Sequence, residues 1–243
     1  MQYLSQILGR IFKFIYEWLV GLGNEPTSIS YYALALLAMA VIYKLITIPL
    51  TIQSAKQTAK TQALAPQLEE IKKKYGYDQQ IYQKKVAEFQ KENNVSQAGC
   101  SGCLLMILQL VIVMALFRVI KEPGVYLFDD PEKINHIAKN FFWVNDLSLP
   151  DPGYILIPFL NILPLLNSLS QLLVTMLGQN GPSNPAMESQ KTMFYMLPLV
   201  FFFLFRNMPA GLVLYWTAGN IIEIIVKLIT KAASTNKNEV KEV

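Results

Sequence analysis

A run of 23 residues at positions 30–52 contains one charged side chain, that of Lys44. As an α-helix with a rise of about 1.5 Å per residue, this run is long enough to cross the roughly 30 Å hydrocarbon layer of a bilayer. A lysine near the middle of such a helix costs roughly 3 kcal/mol on insertion scales, so its amine usually faces water, a partner or the membrane interface. The run therefore predicts a membrane span, and Lys44 is its first candidate functional residue.

Four further apolar runs follow the first one. They cover residues 103–120, 154–177, 193–205 and 210–229. With 53% hydrophobic and 16% charged residues, the chain is far more apolar than a soluble domain needs to be. We therefore predict an all-α membrane protein with five transmembrane helices. The fourth run is short for a span and lies close to the fifth, so a re-entrant hairpin made of these two runs is the alternative.

The distribution of basic residues favours five spans over the re-entrant hairpin. Short cytoplasmic loops carry an excess of Lys and Arg. With five spans, the cytoplasmic side holds thirteen basic residues and the outer side holds seven. This asymmetry predicts a multi-pass protein whose N-terminus lies outside and whose C-terminus lies in the cytoplasm.

The segments outside the first span differ in character. Residues 1–29 carry apolar side chains at helical spacing and predict an amphipathic helix in the membrane interface. Residues 103–231 hold spans two to five. They include an outer loop at 121–153 and a cytoplasmic loop at 178–191, and a cytoplasmic tail follows at 232–243.

Residues 53–102 are the one substantial polar segment between spans. They are rich in Gln, Ala, Lys and Glu around a Gly-Tyr-Asp break at 76–78. This composition predicts a cytoplasmic helical hairpin with arms at 55–75 and 78–93. A solvated, charged spacer is the alternative interpretation.

The sequence does not indicate enzymatic chemistry. Cys100 and Cys103 form a CSGC motif at the predicted mouth of a helix, without further cysteines or a nearby histidine to complete a zinc site. The one histidine, His136, lies in a predicted loop, so no span offers a histidine to activate a nucleophile. We predict a non-enzymatic protein that needs no cofactor, binds no metal and has no dedicated nucleic-acid interface.

Polar side chains inside the predicted spans are the remaining candidates for function. Such side chains tend to turn toward each other or toward water. In the last span, Trp216, Asn220, Glu223 and Lys227 recur at helical spacing on one face. The second and third spans add Gln109, Asn161, Asn167, Ser168 and Gln171. These residues predict a hydrophilic cavity enclosed by the spans.

Three interpretations of Lys44 remain open at this point. Its amine reaches the interface, or it pairs with Glu223 at similar depth, or it supplies a functional positive charge to the cavity. Side chains on a helix lean toward its N-terminus, which points Lys44 away from the nearer cytoplasmic face. Lys227 lies four residues after Glu223 and competes for the same carboxylate.

Four short motifs follow one another in a recognisable order. Lys44 precedes Pro49 by five residues in K-L-I-T-I-P-L, and KKKYG lies in the lysine-rich hairpin. A Gly-Cys pair then precedes Gln109 by six residues, and GLVLYW precedes Asn220 in the last span. This arrangement resembles the YidC/Oxa/Alb family of membrane protein insertases, from about residue 30 to residue 231.

The resemblance implies an insertase and chaperone of the bacterial plasma membrane that works without a nucleotide. In that family a cytoplasmically open hydrophilic groove carries one positive residue, which by position is Lys44 here. The other residues that would line the groove or the substrate path are Gln109, Tyr215, Trp216 and Asn220, and the hairpin would receive substrate. The implied partners are nascent membrane proteins and the lipid bilayer, with the Sec translocon and the ribosome as further candidates.

The chain departs from the family pattern at several positions. The groove residue of the family is typically arginine, whereas Lys44 carries a compact ammonium. Leu105 and Val111 replace usual prolines, and Glu223 stands where the family usually has no acid. Glu223 is therefore a candidate charge partner, and its pairing with Lys44 would weaken the attraction for an acidic substrate.

Two other classes of function remain open. A small secondary transporter or channel would use Lys44 and Glu223 as a coupled pair in proton or ion movement, and a structural assembly subunit would depend on neither. The insertase is expected to tolerate Glu223→Gln but to fail with acidic substrates after Lys44→Ala. The transporter is expected to lose activity with either change.

Overall fold

The computed structural model describes residues 2–93, 99–127, 136–153, 161–178 and 188–239. Within these ranges the chain forms helices and loops, with three isolated β-bridges and no strand. The helices in chain order are α1 (Gln2–Val20), α2 (Tyr31–Ala63), α3 (Ala65–Tyr75), α4 (Gln79–Glu92), α5 (Gly99–Lys121), α6 (Pro123–Tyr126), α7 (Ile162–Gly178), α8 (Glu188–Phe205) and α9 (Ala210–Glu239). The predicted all-α class is confirmed for the part of the chain that the structure describes.

Two of the described helices are long and apolar enough to cross a membrane, over Tyr31–Gln57 in α2 and Ala210–Thr230 in α9. Two shorter apolar helices cover Ile162–Gly178 and Tyr195–Phe205. Buried helices of soluble proteins pass the same test, so length and composition alone do not establish a membrane location. Residues 154–160 of the predicted third span and most of the predicted loop at 178–191 lie outside the described residues, as do the side chains of Cys100 and Cys103.

Helix α2 runs beyond the predicted first span. Its N-terminus is capped by Ser30, whose Oγ accepts a hydrogen bond from the Ala33 amide at 3.2 Å. The helix passes through Pro49 and ends at Ala63. The predicted end at residue 52 reflects bilayer thickness, whereas the residues that follow are good helix formers without a stop signal.

The two helices after α2 pack against each other as a hairpin. Pro66 lies in the first turn of α3, where a helix does not need the N–H that proline lacks. Asp78 caps α4, and its carboxylate accepts hydrogen bonds from the amides of Gln80 and Ile81. The arm predicted at 55–75 is therefore divided between the end of α2 and α3, and the second arm is α4 with its cap.

Helix α9 lies at the centre of the bundle. It packs most extensively against α7 and α2 and more lightly against α5. Helix α7 also packs against α8, and α1 packs against both α2 and α5. Because α9 packs against α7, α2 and α5, polar residues along α9 can meet partners from several directions.

Residues 136–153 close one end of the bundle, which we call the loop end. The amides of Ala210 and Gly211, at the start of α9, donate to the carbonyls of Leu149 at 2.7 Å and Leu147 at 2.9 Å. The loop thereby supplies acceptors that the first turn of a helix cannot find within itself. The opposite end, which carries α3 and α4, is called the hairpin end.

The apolar core is concentrated near the loop end. Its fully buried side chains include Phe12, Tyr32, Leu36, Leu116, Ile120, Val144, Leu147 and Leu212. In α9, residues 210–217, 219 and 220 are buried, whereas none of residues 221–230 is. The helices are therefore tightly packed at the loop end and less enclosed toward the hairpin end.

Candidate functional site

Lys44 lies on α2 at the boundary between these two halves. Its side chain is 11% exposed, and its Nζ donates a hydrogen bond to Oε2 of Glu223 on α9 at 2.7 Å. Of the carboxylates that the structure describes, Glu223 is the one within ion-pair distance of Lys44. Lys44 is therefore paired in this structure rather than free in a cavity.

Glu223 contacts a second lysine on its own helix. The Nζ of Lys227 lies 3.1 Å from Oε1 of Glu223, so each carboxylate oxygen faces a different ammonium group. Two ammonium groups and one carboxylate leave a net positive charge of one when all three are ionised. The pairing of Lys44 with Glu223 consequently does not neutralise the site.

Lys227 is held from a second direction by α7. Its Nζ donates a hydrogen bond to the backbone carbonyl of Val174 at 2.9 Å. This carbonyl lies in the last turns of α7, which ends at Gly178. Because the C-terminal end of a helix carries a partial negative charge, it favours an ammonium group at this place.

A glycine adjoins each of the two lysines. A Cβ at Gly219, one turn before Glu223, would lie 3.2 Å from the Cε of Lys44. A Cβ at Gly178 would lie 3.2 Å from the Nζ of Lys227. Both distances are shorter than ordinary van der Waals contact, so the two glycines leave room for the lysine side chains to converge on Glu223.

A series of buried polar side chains joins α7 to α9 on the loop-end side of the three charged residues. The Asn220 Nδ2 donates to Ser170 Oγ at 3.1 Å, and Ser170 Oγ donates to the Asn167 carbonyl at 2.8 Å. The Asn167 Nδ2 donates to Thr217 Oγ1 at 3.3 Å. We call the set formed by Asn167, Ser170, Thr217, Asn220, Lys44, Glu223 and Lys227 the polar seam.

One buried atom of the polar seam has no hydrogen-bond partner among the described residues. The Oδ1 of Asn167 is buried and accepts no hydrogen bond from the described residues. Leaving a buried acceptor unpaired costs about 1–3 kcal/mol. Buried polar atoms rarely lack a partner, so this oxygen distinguishes the polar seam from a packed apolar core.

The two predicted aromatic residues lie within the packed bundle. Trp216 is buried between helices, with its ring 5.2 Å from that of Phe201 and 5.1 Å from that of Phe205 on α8. Tyr215 is also buried, and its ring lies 6.5 Å from that of Tyr43 on α2. Both residues adjoin the polar seam along α9, but neither presents an open surface in this structure.

Gln109 forms no hydrogen bond with the other predicted polar residues in the described part of the chain. It is half-buried on α5. Of the predicted site residues, the structure joins Lys44 on α2 to Glu223 on α9, and Asn220 lies three residues before Glu223 on α9. It also brings in Lys227, which the sequence indicated as a competitor for Glu223.

Asn161, which the sequence also indicated, belongs to the loop end. Its Oδ1 accepts a hydrogen bond from Arg206 Nε at 2.8 Å, and its Nδ2 donates to the Asp151 carbonyl at 2.6 Å. The Asp151 carboxylate in turn accepts from the Leu163 amide at 2.7 Å. Asn161 therefore helps to fix the start of α7 and takes no part in the polar seam.

Sequence reasoning missed Ser170, Thr217 and the two glycines. Ser170 follows Asn167 by three residues and Thr217 precedes Asn220 by three, so helical spacing would have placed each beside a known candidate. Within the described residues, no group of His, Cys, Asp and Glu side chains could hold a metal ion. The absence of a cofactor stays a prediction.

Comparisons with known proteins show clear relatives. The model of the 60Kd inner membrane protein family matches residues 25–238. The membrane protein insertase YidC of Treponema denticola is 34% identical over 231 residues, which cover 91% of this chain and 37% of that protein. The membrane protein insertase YidC of Francisella philomiragia is 35% identical over 198 residues, which cover 82% of this chain and 32% of that protein.

A solved structure is similar as well. The crystal structure described as an active YidC insertase with the first transmembrane domain resolved matches with a TM-score of 0.62 and 25% identity. The match covers 90% of this chain and 45% of that chain. The chain thus spans about a third of the length of the curated relatives and less than half of the solved one.

Proposed function

The chain belongs to the 60Kd inner membrane protein family, the YidC/Oxa/Alb insertases, and from this premise we propose that it inserts nascent membrane proteins and assists their folding. The relatives that carry the insertase name match over most of this chain. The activity itself is our proposal, because those relatives are considerably longer than the chain.

The proposed topology has five spans, α2, α5, α7, α8 and α9, with the loop end outside and the hairpin end in the cytoplasm of a bacterium. The excess of Lys and Arg on the hairpin side supports this orientation. The N-terminus then lies outside and the C-terminus inside. The family description as an inner membrane protein agrees with the proposed location.

Helix α1 is proposed to lie in the lipid–water interface on the outer face of the plasma membrane. One face of α1 is buried against the bundle at Ser5, Gly9 and Phe12. A second face exposes apolar side chains at helical spacing, namely Tyr3, Ile7, Ile11, Phe14 and Trp18. A helix with one packed face and one exposed apolar face is suited to the boundary between lipid and water.

The observation that carries the proposal is the position of the polar seam. Along α9 it begins among the largely buried residues 210–220 and ends with charged side chains in residues 221–230, which are not buried. A hydrophilic groove closed outside and open toward the cytoplasm would have this arrangement. Such a groove lowers the cost of moving a short polar segment partway across the membrane.

The positive charge of the seam gives the groove its preference for substrates. Lys44, Glu223 and Lys227 together carry a net positive charge, and the acidic outer segment of a nascent protein is attracted to it. The proposed partners are nascent membrane proteins and the lipid bilayer. The Sec translocon and the ribosome are further proposed partners, and the hairpin of α3 and α4 is where substrate would first be received.

The proposal is tested by insertion into proteoliposomes that contain the full chain. The substrate is a single-span peptide whose outer segment carries one Asp, compared with the same peptide carrying Asn, and insertion is measured by protease protection. Lys44→Ala is expected to lower the ratio of Asp to Asn insertion by about tenfold, which corresponds to about 1.4 kcal/mol. Lys44→Arg is expected to retain the ratio, and its complete loss would contradict a role based on charge.

A coupled transporter is the second candidate, because the 2.7 Å bond between Lys44 and Glu223 is the kind of intramembrane pair that moves protons. It makes a different prediction. Proton or ion flux across the same vesicles should then be measurable and should be lost with either Lys44→Ala or Glu223→Gln. An insertase retains insertion with Glu223→Gln, and a structural subunit shows neither effect.

A further inference from the structure

We propose that Glu223 is a tethered competitor for the substrate: it occupies Lys44 in the unloaded protein and yields that place to an incoming carboxylate while Lys227 retains it. This inference rests on the proposed function and adds a residue that sets substrate specificity. It follows from how the three charged side chains are held.

The two oxygens of Glu223 are bound independently. Oε2 accepts from Lys44 at 2.7 Å, and Oε1 lies 3.1 Å from the Nζ of Lys227. Loss of the first contact leaves the second in place. Glu223 therefore has a partner in both states, and the exchange creates no unpaired carboxylate in a partly buried site.

The two lysines are held unequally. Lys227 has the Glu223 carboxylate, the Val174 carbonyl and the C-terminal end of α7 as negative neighbours. Within the described residues, Lys44 has Glu223 as its ion-pair partner. Lys44 is therefore the ammonium that gains more from a substrate carboxylate, and Lys227 is the one suited to retain Glu223.

The charged residues of the polar seam are partly exposed and lie on the hairpin side of the buried part of α9. The side chains of Glu223 and Lys227 are 21% and 18% exposed, and the part of α9 that carries them is not buried. Lys44 is the most enclosed of the three at 11%. A segment that enters from this side meets Lys227 and Glu223 before it reaches Lys44.

The exchange gives the site a threshold. A substrate carboxylate replaces one anion by another on Lys44, so the ammonium stays paired throughout. A neutral segment offers no replacement and leaves Lys44 with Glu223. Because a substrate carboxylate must displace Glu223, the pair favours an acidic segment less strongly than an unpaired Lys44 would.

The experiment uses the same proteoliposomes and the same Asp and Asn peptides. Glu223→Gln removes the competitor and is expected to raise the ratio of Asp to Asn insertion by about threefold, the size of a modest ion-pair effect. Lys227→Gln leaves Glu223 to Lys44 alone and is expected to lower the ratio toward one. Glu17→Gln removes a negative charge from an exposed position on α1 and is the matched control, with no change expected.

The double variant Glu223→Gln with Lys227→Gln separates competition from net charge. It carries the same net charge at the site as the unmodified protein but has no competitor. A ratio above that of the unmodified protein supports the inference. A ratio equal to that of the unmodified protein overturns it, because net charge then explains all four proteins.

Structural damage and failure of the proposed function are also distinguished. If Glu223→Gln lowers insertion of both peptides equally, the carboxylate is a structural tie and the inference is overturned. If Lys44→Ala leaves the ratio unchanged, the charged groove of the proposed function fails. If Lys44→Ala lowers the ratio of Asp to Asn insertion to one but Glu223→Gln does not raise it, the inference fails and the proposed function stands.

Discussion

The loop end of the bundle is held by buried apolar side chains, whereas toward the hairpin end the helices are joined by polar and charged side chains. The loop end is a closed apolar core whose helix starts are satisfied by backbone carbonyls and by the Asp151 carboxylate. Residues 221–230 of α9, toward the hairpin end, include no fully buried residue and carry an ionic cluster whose side chains are partly exposed. The difference teaches that the stability of this bundle comes mainly from one end, which leaves the other free to hold charges.

The helices themselves show the same division. Helix α2 contributes Tyr32 and Leu36 to the core near its start and Lys44 to the polar seam farther along. Helix α9 contributes Leu212 to the core and Glu223 to the seam. Each helix thus contributes to the core near its start and to the polar seam farther along, so mutations at these two places should have separable effects.

The largest expected effect is on stability at the loop end. Leu36→Ala removes a fully buried side chain from the core and is expected to lower the free energy of unfolding by about 3 kcal/mol. Leu45→Ala on the same helix shortens a side chain that is 61% exposed, and it is expected to change the free energy of unfolding by less than about 0.5 kcal/mol. Denaturant unfolding of both variants in the same detergent checks the difference, and equal losses would contradict the proposed division.

A smaller and more selective effect is expected from two glycines of α9. A Cβ at Gly211 would lie 2.9 Å from Leu36 Cδ1 and 3.1 Å from the Leu147 carbonyl oxygen. Gly211→Ala is therefore expected to destabilise the fold by about 1–3 kcal/mol without changing the ratio of Asp to Asn insertion.

Gly219→Ala is the counterpart at the polar seam. Its Cβ would crowd the flexible Lys44 stem rather than backbone, so the expected loss of stability is less than about 1 kcal/mol. The displaced ammonium should lower the insertion ratio by about threefold. Measurement of stability and insertion ratio for both alanine variants checks the contrast, and it is refuted if the two variants behave alike.

The smallest effect is expected in the hairpin, at the exposed pair of Lys85 and Glu88. Their side chains lie 2.7 Å apart, and the hydrogen bond with Lys85 lowers the pKa of Glu88 below its ordinary value of 4.5. Because the carboxyl pKa is lowered, the pair contributes to the stability of the fold at pH values above the ordinary pKa. This contribution is lost as the pH falls through the lowered pKa. Glu88→Gln should therefore lower the melting temperature slightly at about pH 7 and by less at about pH 3.

The result for this exposed pair also sharpens the contrast with the polar seam. Solvent screens an exposed ion pair, whereas the seam pair is largely shielded. Thermal melts of Glu88→Gln across the pH range provide the measurement. A shift that grows as the pH falls would have the wrong sign for a lowered carboxyl pKa.

Much of the helical framework could be predicted from apolar runs and from a few stop signals. The Asp78 cap and Pro66 lie near the helix starts of the hairpin, as turn chemistry requires. The end of α2 could not be placed, because bilayer thickness limits a span and not a helix. Its last residues continue the helix into the hairpin without any break in the sequence.

Part of the polar seam could be predicted, and part of it could not. The spacing of Asn220, Glu223 and Lys227 placed them on one face, and depth suggested Glu223 as a partner for Lys44. The contact of Lys227 with the Val174 carbonyl could not be anticipated, because a backbone acceptor leaves no mark on residue type. The space beside Gly219 depends on how closely α2 and α9 approach, which is a tertiary property.

The single proline within α2 has a mechanical consequence. Pro49 lies more than one turn beyond Lys44, and a proline is where a long helix bends most easily. The first part of α2 is clamped at the loop end by Ser30 and the core. We therefore expect motion of the hairpin to be accommodated by bending at Pro49, so that the ammonium of Lys44 keeps its position in the bundle.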